Sequence, residues 1–374
     1  MQKKKLLILY SFLAPYRIDT YTALADEFET SVLLTGSEKD RATLAYDLEA
    51  VNRRARFNYF YHSKGFMLFD RHLISSIYYK TIKKFKPDIV LASELGINTI
   101  IMIMMRPFYR YKLYTTVDDS PNMAKEYGMF RRILRNFVIR HTDGCIVVNP
   151  QVIDYLKQNT PSNKSNHYYL PIIQNEKMLK NIFCDVLPLS KNIFEQYDFR
   201  GKKIILFVGR LINIKDPQLL LKVFSNIYKN NQDLRLIFIG SGILEKELKD
   251  FRDKNNLNDV VVFTGQLTGN ELYAWFNIGQ ILVLPSQREP FGAVVNEALI
   301  AGCRTVVSDS IGATCLIDEE NGRIFETNNF ESLKKTLSEI IEKTPPLNDI
   351  CLKECLMKES FSTTILKFVN FLNL

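Results

Sequence analysis

The chain has 374 residues, 46% of them hydrophobic, and a formal net charge of +8, which favours two domains with ordinary cores. Its six cysteines show no CxxC spacing, so they predict reduced thiols in a cytoplasmic protein rather than structural zinc. No apolar run approaches the roughly 20 residues of a membrane span, and none of the common nucleic-acid-binding motifs is present.

The first half of the chain alternates predicted strands with predicted helices. Three lysines before an apolar run resemble a signal peptide, but the run is short and lacks a cleavage site, so LLILY (6–10) is predicted as a buried first strand. Further strands are predicted at 31–36, 87–93, 112–118, 144–150 and 167–173. Helices are predicted between these strands. The first ends at Ala25, the second runs from Leu73 to Phe85, and the others end at residue 107, at Arg140 and at residue 158. Residues 38–64 are not assigned. This alternation predicts a parallel, doubly wound sheet.

A weakly patterned connection, at about 174–200, separates this half from a second set of alternating elements. The second set has strands predicted at 202–210, 234–240, 260–265, 281–285 and 303–309. The fold class is therefore α/β, with two Rossmann-like domains. At the end of the chain, residues 360–374 have the apolar spacing of a helix.

Residues 281–311 form the most informative stretch, a strand–loop–helix–strand unit. Pro290 is predicted at the first helical position, because its fixed φ suits a helix start. Gly292 permits close approach to the backbone, and Gly302 ends the helix. In open α/β sheets, ligands bind at loops of this kind, beyond the carboxyl ends of the strands.

Two carboxylates, Glu289 and Glu297, lie on either side of this helix start. The first helical N–H groups suit a phosphate, and carboxylates accept hydrogen bonds from sugar hydroxyls, so the arrangement fits a nucleotide-sugar. The alternative is an acid in a turn and another on a solvated helix face. Spacing alone favours that alternative.

The segment Glu289-Pro290-Phe291-Gly292, followed after four residues by Glu297-Ala298 and then by Gly302, resembles the signature of the family-4 glycosyltransferases. These are retaining enzymes of the GT-B fold, with two Rossmann-like doubly wound domains facing a cleft. The resemblance implies that Glu289 contacts the donor sugar and Glu297 the ribose. It also implies that the backbone of Phe291, Gly292 and Ala293 lies against sugar and phosphate.

The resemblance also implies the domain organisation. Residues 1–180 are predicted as an N-terminal Rossmann-like acceptor domain, to which the last helix, 360–374, returns. Residues 181–359 are predicted as the C-terminal Rossmann-like nucleotide-sugar donor domain.

Further motifs follow the strands of the second half. Two cations, Arg210 and Lys215, come after Gly209 and can neutralise a diphosphate leaving group without a metal, although both could also be ordinary surface residues. They match the G-R-L…K motif of the family. The resemblance places the remaining glycines, Gly240, Gly242 and Gly265, at the nucleotide pocket; a lone GxG supports NAD binding only weakly.

Asp118 and Asp119 end a strand of the first half, where many members of the family have a histidine. Either aspartate could orient the acceptor hydroxyl or take up its proton. Both could instead cap the next helix together with Ser120.

The positive charge is concentrated in the first half. Residues 1–180 hold 27 Lys and Arg against 17 Asp and Glu, whereas the rest hold 22 against 24. A predicted helix containing Met123, Tyr127, Phe130, Leu134 and Phe137 also carries arginines, which fits either an anionic membrane interface or a core helix with a solvated basic face.

The predicted function is transfer of a hexose-type sugar, with retention, from a UDP-sugar or, less favoured, a GDP-sugar. The predicted acceptor is a lipid-linked saccharide of bacterial surface polysaccharide synthesis. No metal or cofactor is predicted, and the predicted location is the cytoplasm, with peripheral attachment to the inner face of the plasma membrane. The alternatives are a GT-B enzyme with a soluble acceptor, a GT-B epimerase, a glycan phosphorylase, a non-catalytic nucleotide-sugar binder and, last, a dehydrogenase.

Overall fold

The computed structural model describes residues 2–36, 54–68, 72–94, 96–119, 128–159 and 166–374. The chain divides into two compact units, Met1–Ile173 with Phe361–Leu374, and Gln174–Ser360. Within the described ranges, no helix is long and apolar enough to span a lipid bilayer.

The first unit is built on a parallel sheet. Its strands are β1 (Lys5–Tyr10), β2 (Glu29–Leu34), β3 (Asn58–Tyr61), β4 (Phe66–Leu68), β5 (His72–Ile74), β6 (Ile89–Ser93), β7 (Lys112–Val117), β8 (Gly144–Val147) and β9 (Tyr168–Tyr169). Seven of them form a sheet in the order β3-β2-β1-β6-β7-β8-β9, and β4 and β5 form a separate antiparallel pair. Strands such as β1 and β6 are continuous apolar runs because helices cover both faces of a parallel sheet.

The helices of the first unit include the last helix of the chain. They are α1 (Pro15–Glu27), α2 (Ile77–Phe85), α3 (Ile97–Tyr109), α4 (Met129–His141), α5 (Pro150–Asn159) and α13 (Phe361–Asn373). In α13, the Phe371 ring packs 5.2 Å from Tyr114 of β7 and 4.6 Å from Tyr168 of β9. The carbonyl of Asn373 accepts a hydrogen bond from Lys4. The last helix therefore belongs to the first unit.

The second unit has a six-stranded sheet with a Rossmann strand order. Its strands are β10 (Lys203–Val208), β11 (Leu234–Ile239), β12 (Val261–Gly265), β13 (Ile281–Leu284), β14 (Arg304–Ser308) and β15 (Gly322–Phe325). The order β12-β11-β10-β13-β14-β15 reverses direction between β10 and β13. Such a reversal, the topological switch point, is where an α/β sheet binds its ligand.

Helices cover this sheet. They are α6 (Glu176–Asp185), α7 (Leu187–Gln196), α8 (Pro217–Tyr228), α9 (Glu245–Lys254), α10 (Gly269–Ile278), α11 (Ala293–Ile300) and α12 (Phe330–Glu342). The buried faces of α8 and α12 pack on β10, β11 and β14, so the core of the unit lies between sheet and helices.

The prediction of a weakly patterned connection at about 174–200 is wrong, because this segment contains the helices α6 and α7. Asn175 caps α6 by accepting hydrogen bonds from the N–H groups of Lys177 and Met178. Phe183 and Phe194 are buried. The break at Val186 interrupts the helical periodicity, which hides two short helices from pattern reading.

Three other predicted boundaries differ from the structure. Helix α2 begins at Ile77 and not at Leu73, because β5 occupies the preceding residues. The strand predicted at 167–173 is reduced to Tyr168–Tyr169. Of the unassigned segment 38–64, only residues 54–64 are described, and they include β3.

Candidate active site

The loop that follows β10 carries the first group of predicted site residues. Gly209 donates its N–H to the carbonyl of Ile239 over 2.9 Å, and Leu211 donates to Ser241, so the loops after β10 and β11 lie side by side. Arg210, between them, is exposed. Lys215 ends a short 3-10 turn, Asn213–Lys215, immediately before Asp216 caps α8.

The predicted glycine turns complete this edge of the sheet. Gly240 donates its N–H to the carbonyl of Gly265, 2.8 Å away, which joins the ends of β11 and β12. Gly240 has a φ of +145°, and a Cβ there would lie 1.9 Å from the carbonyl oxygen of Gly209. Only glycine fits this position. Gly242, whose carbonyl accepts from the N–H of Glu245, leads into α9.

The loop after β13 carries Glu289. Its carboxylate forms an ion pair with Lys215, with Nζ 2.6 Å from Oε1, and its Oε2 accepts a hydrogen bond from the Ser286 hydroxyl at 3.1 Å. The side chains of Lys215 and Glu289 are only 15% and 19% exposed. A backbone hydrogen bond of 2.9 Å from Gln287 to Ile214 also joins the two loops. The pair therefore lies at the switch point between β10 and β13.

The helix after this loop begins later than predicted. Pro290 is not the first helical residue, since α11 starts at Ala293 with Gly292 as its N-cap at a φ of +99°. The left-handed conformation of Gly292 turns the chain into the helix, so the two residues after the proline are still loop. Phe291 is buried, and its carbonyl accepts a hydrogen bond from Ala313.

Glu297, on α11, is held by a residue that the sequence did not indicate. Its Oε1 accepts a hydrogen bond of 2.7 Å from the side-chain amide of Gln174, which is buried. The backbone N–H of Gln174 donates to Asn296 over 2.8 Å. Gln174 therefore fixes the start of the second unit against α11 and orients the predicted ribose-binding carboxylate.

The two predicted aspartates of the first unit lie at the carboxyl end of β7, and both form ion pairs. Asp118 accepts hydrogen bonds from Arg17 and from the Tyr10 hydroxyl, each at 2.7 Å and on different oxygens. Asp119 accepts from Arg135 at 2.7 Å. Burial, followed by the charge of Asp118, raises the pKa of Tyr10 well above its ordinary value. The proposed cap with Ser120 lies outside the described residues.

Glu94 is a candidate that the sequence did not single out. It follows β6, next to β1 at the switch point of the first sheet, and has a φ of +54°. Glu94 is exposed, but desolvation by its neighbours raises the pKa of its carboxyl group, and repulsion from Asp118 and Asp119 raises it further, while Arg131 and Arg135 oppose the shift. Non-glycine residues with this backbone conformation concentrate at functional sites. The only sequence signal was its position after an apolar strand.

Each unit thus has a parallel α/β sheet with a switch point, and the second has a cation and a carboxylate in contact at that point. Residues 190–351 match the family model of the glycosyl transferases group 1. An uncharacterized glycosyltransferase of Methanocaldococcus jannaschii is 32% identical over 162 residues, which are 43% of this chain and 40% of that protein.

A longer match is to the N-acetylgalactosamine-N,N'-diacetylbacillosaminyl-diphospho-undecaprenol 4-alpha-N-acetylgalactosaminyltransferase of Campylobacter jejuni. It is 31% identical over 271 residues, 67% of this chain and 69% of that enzyme. HepE of Anabaena, solved in complex with UDP, superposes with a TM-score of 0.73 at 15% identity over 99% of both chains, which shows the GT-B fold. The chain belongs to the group 1 glycosyltransferases.

Proposed function

We propose that this chain is a retaining glycosyltransferase that moves a hexose-type sugar from a nucleoside diphosphate sugar, UDP rather than GDP, to a lipid-linked saccharide. The reaction would serve the synthesis of a bacterial surface polysaccharide. The observation that carries the proposal is the contact between Lys215 and Glu289 at the switch point of the second sheet.

The chemistry of that contact suits sugar transfer from a nucleotide. Negative charge develops on the departing diphosphate, and a fixed ammonium group in surroundings poor in water stabilises that charge strongly. Lys215 supplies this cation, and the exposed guanidinium of Arg210 adds a second on the same edge of the sheet. Neither role needs a metal ion.

The carboxylates then serve the hydroxyl groups of the donor. When the diphosphate replaces Glu289 as the ionic partner of Lys215, the carboxylate of Glu289 accepts hydrogen bonds from the sugar. Glu297, oriented by Gln174, accepts them from the ribose. The backbone around Phe291, Gly292 and Ala293, at the start of α11, meets the phosphates with its N–H groups.

The donor and acceptor classes are supported by the relatives. HepE was solved with UDP, and also with UDP and glucose. The Campylobacter jejuni relative is named for a diphospho-undecaprenol acceptor. The excess of Lys and Arg in residues 1–180 suits such an acidic lipid diphosphate. We assign acceptor binding to the first unit, with Asp118, Asp119 and the newly found Glu94 as its polar groups.

Substitution of the central pair tests the donor site. Lys215→Ala and Glu289→Ala should each lower kcat/KM by about a hundredfold or more while the protein stays folded, because loss of one charge-stabilising group has this effect in preorganised sites. The matched controls are Lys249→Ala and Glu245→Ala, which remove an ion pair of similar length, 2.7 Å, from the surface of α9. Full activity of either central variant would reject the assignment.

Thermal-shift measurements with UDP- and GDP-sugars separate the remaining alternatives. We expect a UDP-sugar to raise the melting temperature and UDP to be released when a lipid-linked saccharide is added. A shift without release would indicate a non-catalytic binder. An inverted anomeric configuration in the product would refute retention.

A further inference from the structure

Three of the described helices of the first unit carry Lys and Arg side chains and no Asp or Glu. Helices α2, α3 and α4 contain eight Lys and Arg residues, three, one and four respectively. Arg135 is buried against Asp119 and Arg106 pairs with Asp143, so the exposed cations are the three lysines of α2 and Arg131, Arg132 and Arg140 of α4. Helix α3 packs against both α2 and α4, so the three form one continuous surface. A surface of this kind attracts anions over about 8 to 10 Å at physiological ionic strength.

The same surface exposes large apolar side chains. Six of them, which we call the apolar ridge, are Met104 and Phe108 of α3 and Met129, Phe130, Ile133 and Phe137 of α4. Phe108 and Phe130 are 81% and 82% exposed, so water surrounds most of each ring. A group of exposed apolar side chains of this size marks a surface that meets another molecule or a membrane.

Helix α4 has two apolar faces. Its buried residues, Arg135, Val138 and Ile139, face the unit. Met129, Ile133 and Phe137 recur every four residues on the opposite side, and Phe130 lies beside them. Packing against the sheet explains the first face but not the second. The outer face, with Arg132 and Arg140 on the same helix, has the composition of a helix that lies in a membrane interface.

We infer that the apolar ridge, with the exposed basic residues of α2 and α4, docks the protein on the surface of an anionic lipid bilayer. The aromatic and aliphatic side chains would enter the boundary between head groups and acyl chains. The Lys and Arg side chains would meet lipid phosphates, each contributing about 1 kcal/mol near an anionic surface. Complementary charge favours this occupant over a second copy of the chain, whose matching face would be equally positive.

This inference deepens the proposed function, because a lipid-linked acceptor lies in a bilayer, but its test needs no turnover. The protein is floated with vesicles of phosphatidylcholine containing one third phosphatidylglycerol, and with vesicles of phosphatidylcholine alone. We expect binding to the anionic vesicles at low salt, weaker binding at high salt, and little binding to the neutral vesicles. No binding to anionic vesicles at low salt would overturn the inference.

Two pairs of double variants locate the surface. Phe108→Ser with Phe130→Ser should weaken vesicle binding about tenfold or more, because two rings lose their apolar contact. Ile243→Ser with Leu366→Ser removes exposed apolar residues elsewhere and should bind like the wild type. Lys84→Glu with Arg140→Glu should also weaken binding, unlike Lys246→Glu with Lys335→Glu, which makes the same change of charge on the second unit.

Unchanged binding of the ridge variant would overturn the inference, provided that its melting temperature matches that of the wild type. A concentration-dependent dimer in sedimentation, abolished by the same substitutions, would assign the ridge to a second copy instead. Vesicle binding together with a lack of transfer from every donor would refute the proposed function alone. Transfer to a lipid-linked acceptor without vesicle binding would refute only the docking surface.

Discussion

Glu94 became a candidate site residue through its backbone conformation and the charges around it, which its neighbours in sequence do not reveal. A left-handed φ costs a non-glycine residue about 1 to 3 kcal/mol, so the surrounding structure must impose it. Hydrogen bonds from Thr99 and Thr115 to its carbonyl do so. Desolvation, and after it repulsion from Asp118 and Asp119, raises the pKa of its carboxyl group.

The raised pKa of Glu94 predicts a pH-dependent stability. The folded protein binds the proton of this carboxyl group more tightly than the unfolded chain does, so its contribution to stability is full at low pH and is lost as pH rises through the folded pKa. Glu94→Gln should therefore melt at a higher temperature than the wild type at pH 8. The difference should shrink as pH falls and vanish near about pH 3, well below the ordinary glutamate pKa of about 4.3, because the carboxyl group is then protonated in both states.

The control for this measurement is Glu27→Gln, an exposed change on α1 of the same unit. The melting temperature of this variant should equal that of the wild type across the pH range. A Glu94→Gln variant that melts below the wild type at pH 8 would contradict the prediction, since it would mean that the ionised carboxylate stabilises the fold.

At the scale of elements, the site of the second unit is a set of loops tied together at one edge of the sheet. Backbone hydrogen bonds connect the loop after β10 with those after β11 and β13, and the end of β11 with that of β12. The glycines of the GxG turn serve this connection as well as any ligand, because Gly240 packs directly on Gly209. These glycines are therefore required for the packing of the loops as well as for the predicted nucleotide site.

Gly240→Ala should destabilise the protein by about 2 kcal/mol or more, because the new Cβ would overlap the carbonyl oxygen of Gly209 and the backbone would be strained. Gly128→Ala is the matched control. No atom of the described residues lies within 4 Å of a Cβ there, and its φ of −60° suits any residue. Urea unfolding compares the two, and equal midpoints would show that the loop adapts freely.

At the scale of the whole molecule, the chain crosses from the second unit back to the first for its last helix. Phe368 of α13 is buried, and its ring lies 5.2 Å from that of Tyr168 of β9. The first unit therefore includes residues from both ends of the chain. Its complete fold forms only after the second unit has been synthesised.

Phe368→Ala should lower the free energy of unfolding by about 3 to 5 kcal/mol, because a large buried ring is replaced by a cavity. Leu366→Ala, on the exposed side of the same helix, should change it by less than about 0.5 kcal/mol. Chemical denaturation measures both. If the two variants were equally stable, α13 would not be part of the core of the first unit.

The amino-acid sequence by itself determined the α/β class, the two sets of alternating elements and the positions of Arg210, Lys215, Glu289 and Glu297 on loops and a helix after strands. These features depend on local periodicity and on short motifs, which are visible within a window of a few residues. Local periodicity did not predict α6 and α7, because the break between these two short helices interrupts the pattern.

Only the tertiary structure decided which of these residues meet. The contact of Lys215 with Glu289 requires that β10 and β13 be neighbours, and the hydrogen bond from Gln174 to Glu297 joins residues even further apart in sequence. The carboxyl groups of Asp118 and Asp119 likewise meet Arg17 and Arg135 only through the packing of the first sheet. Strand order and register arise from the packing of the whole core, so no local pattern contains them.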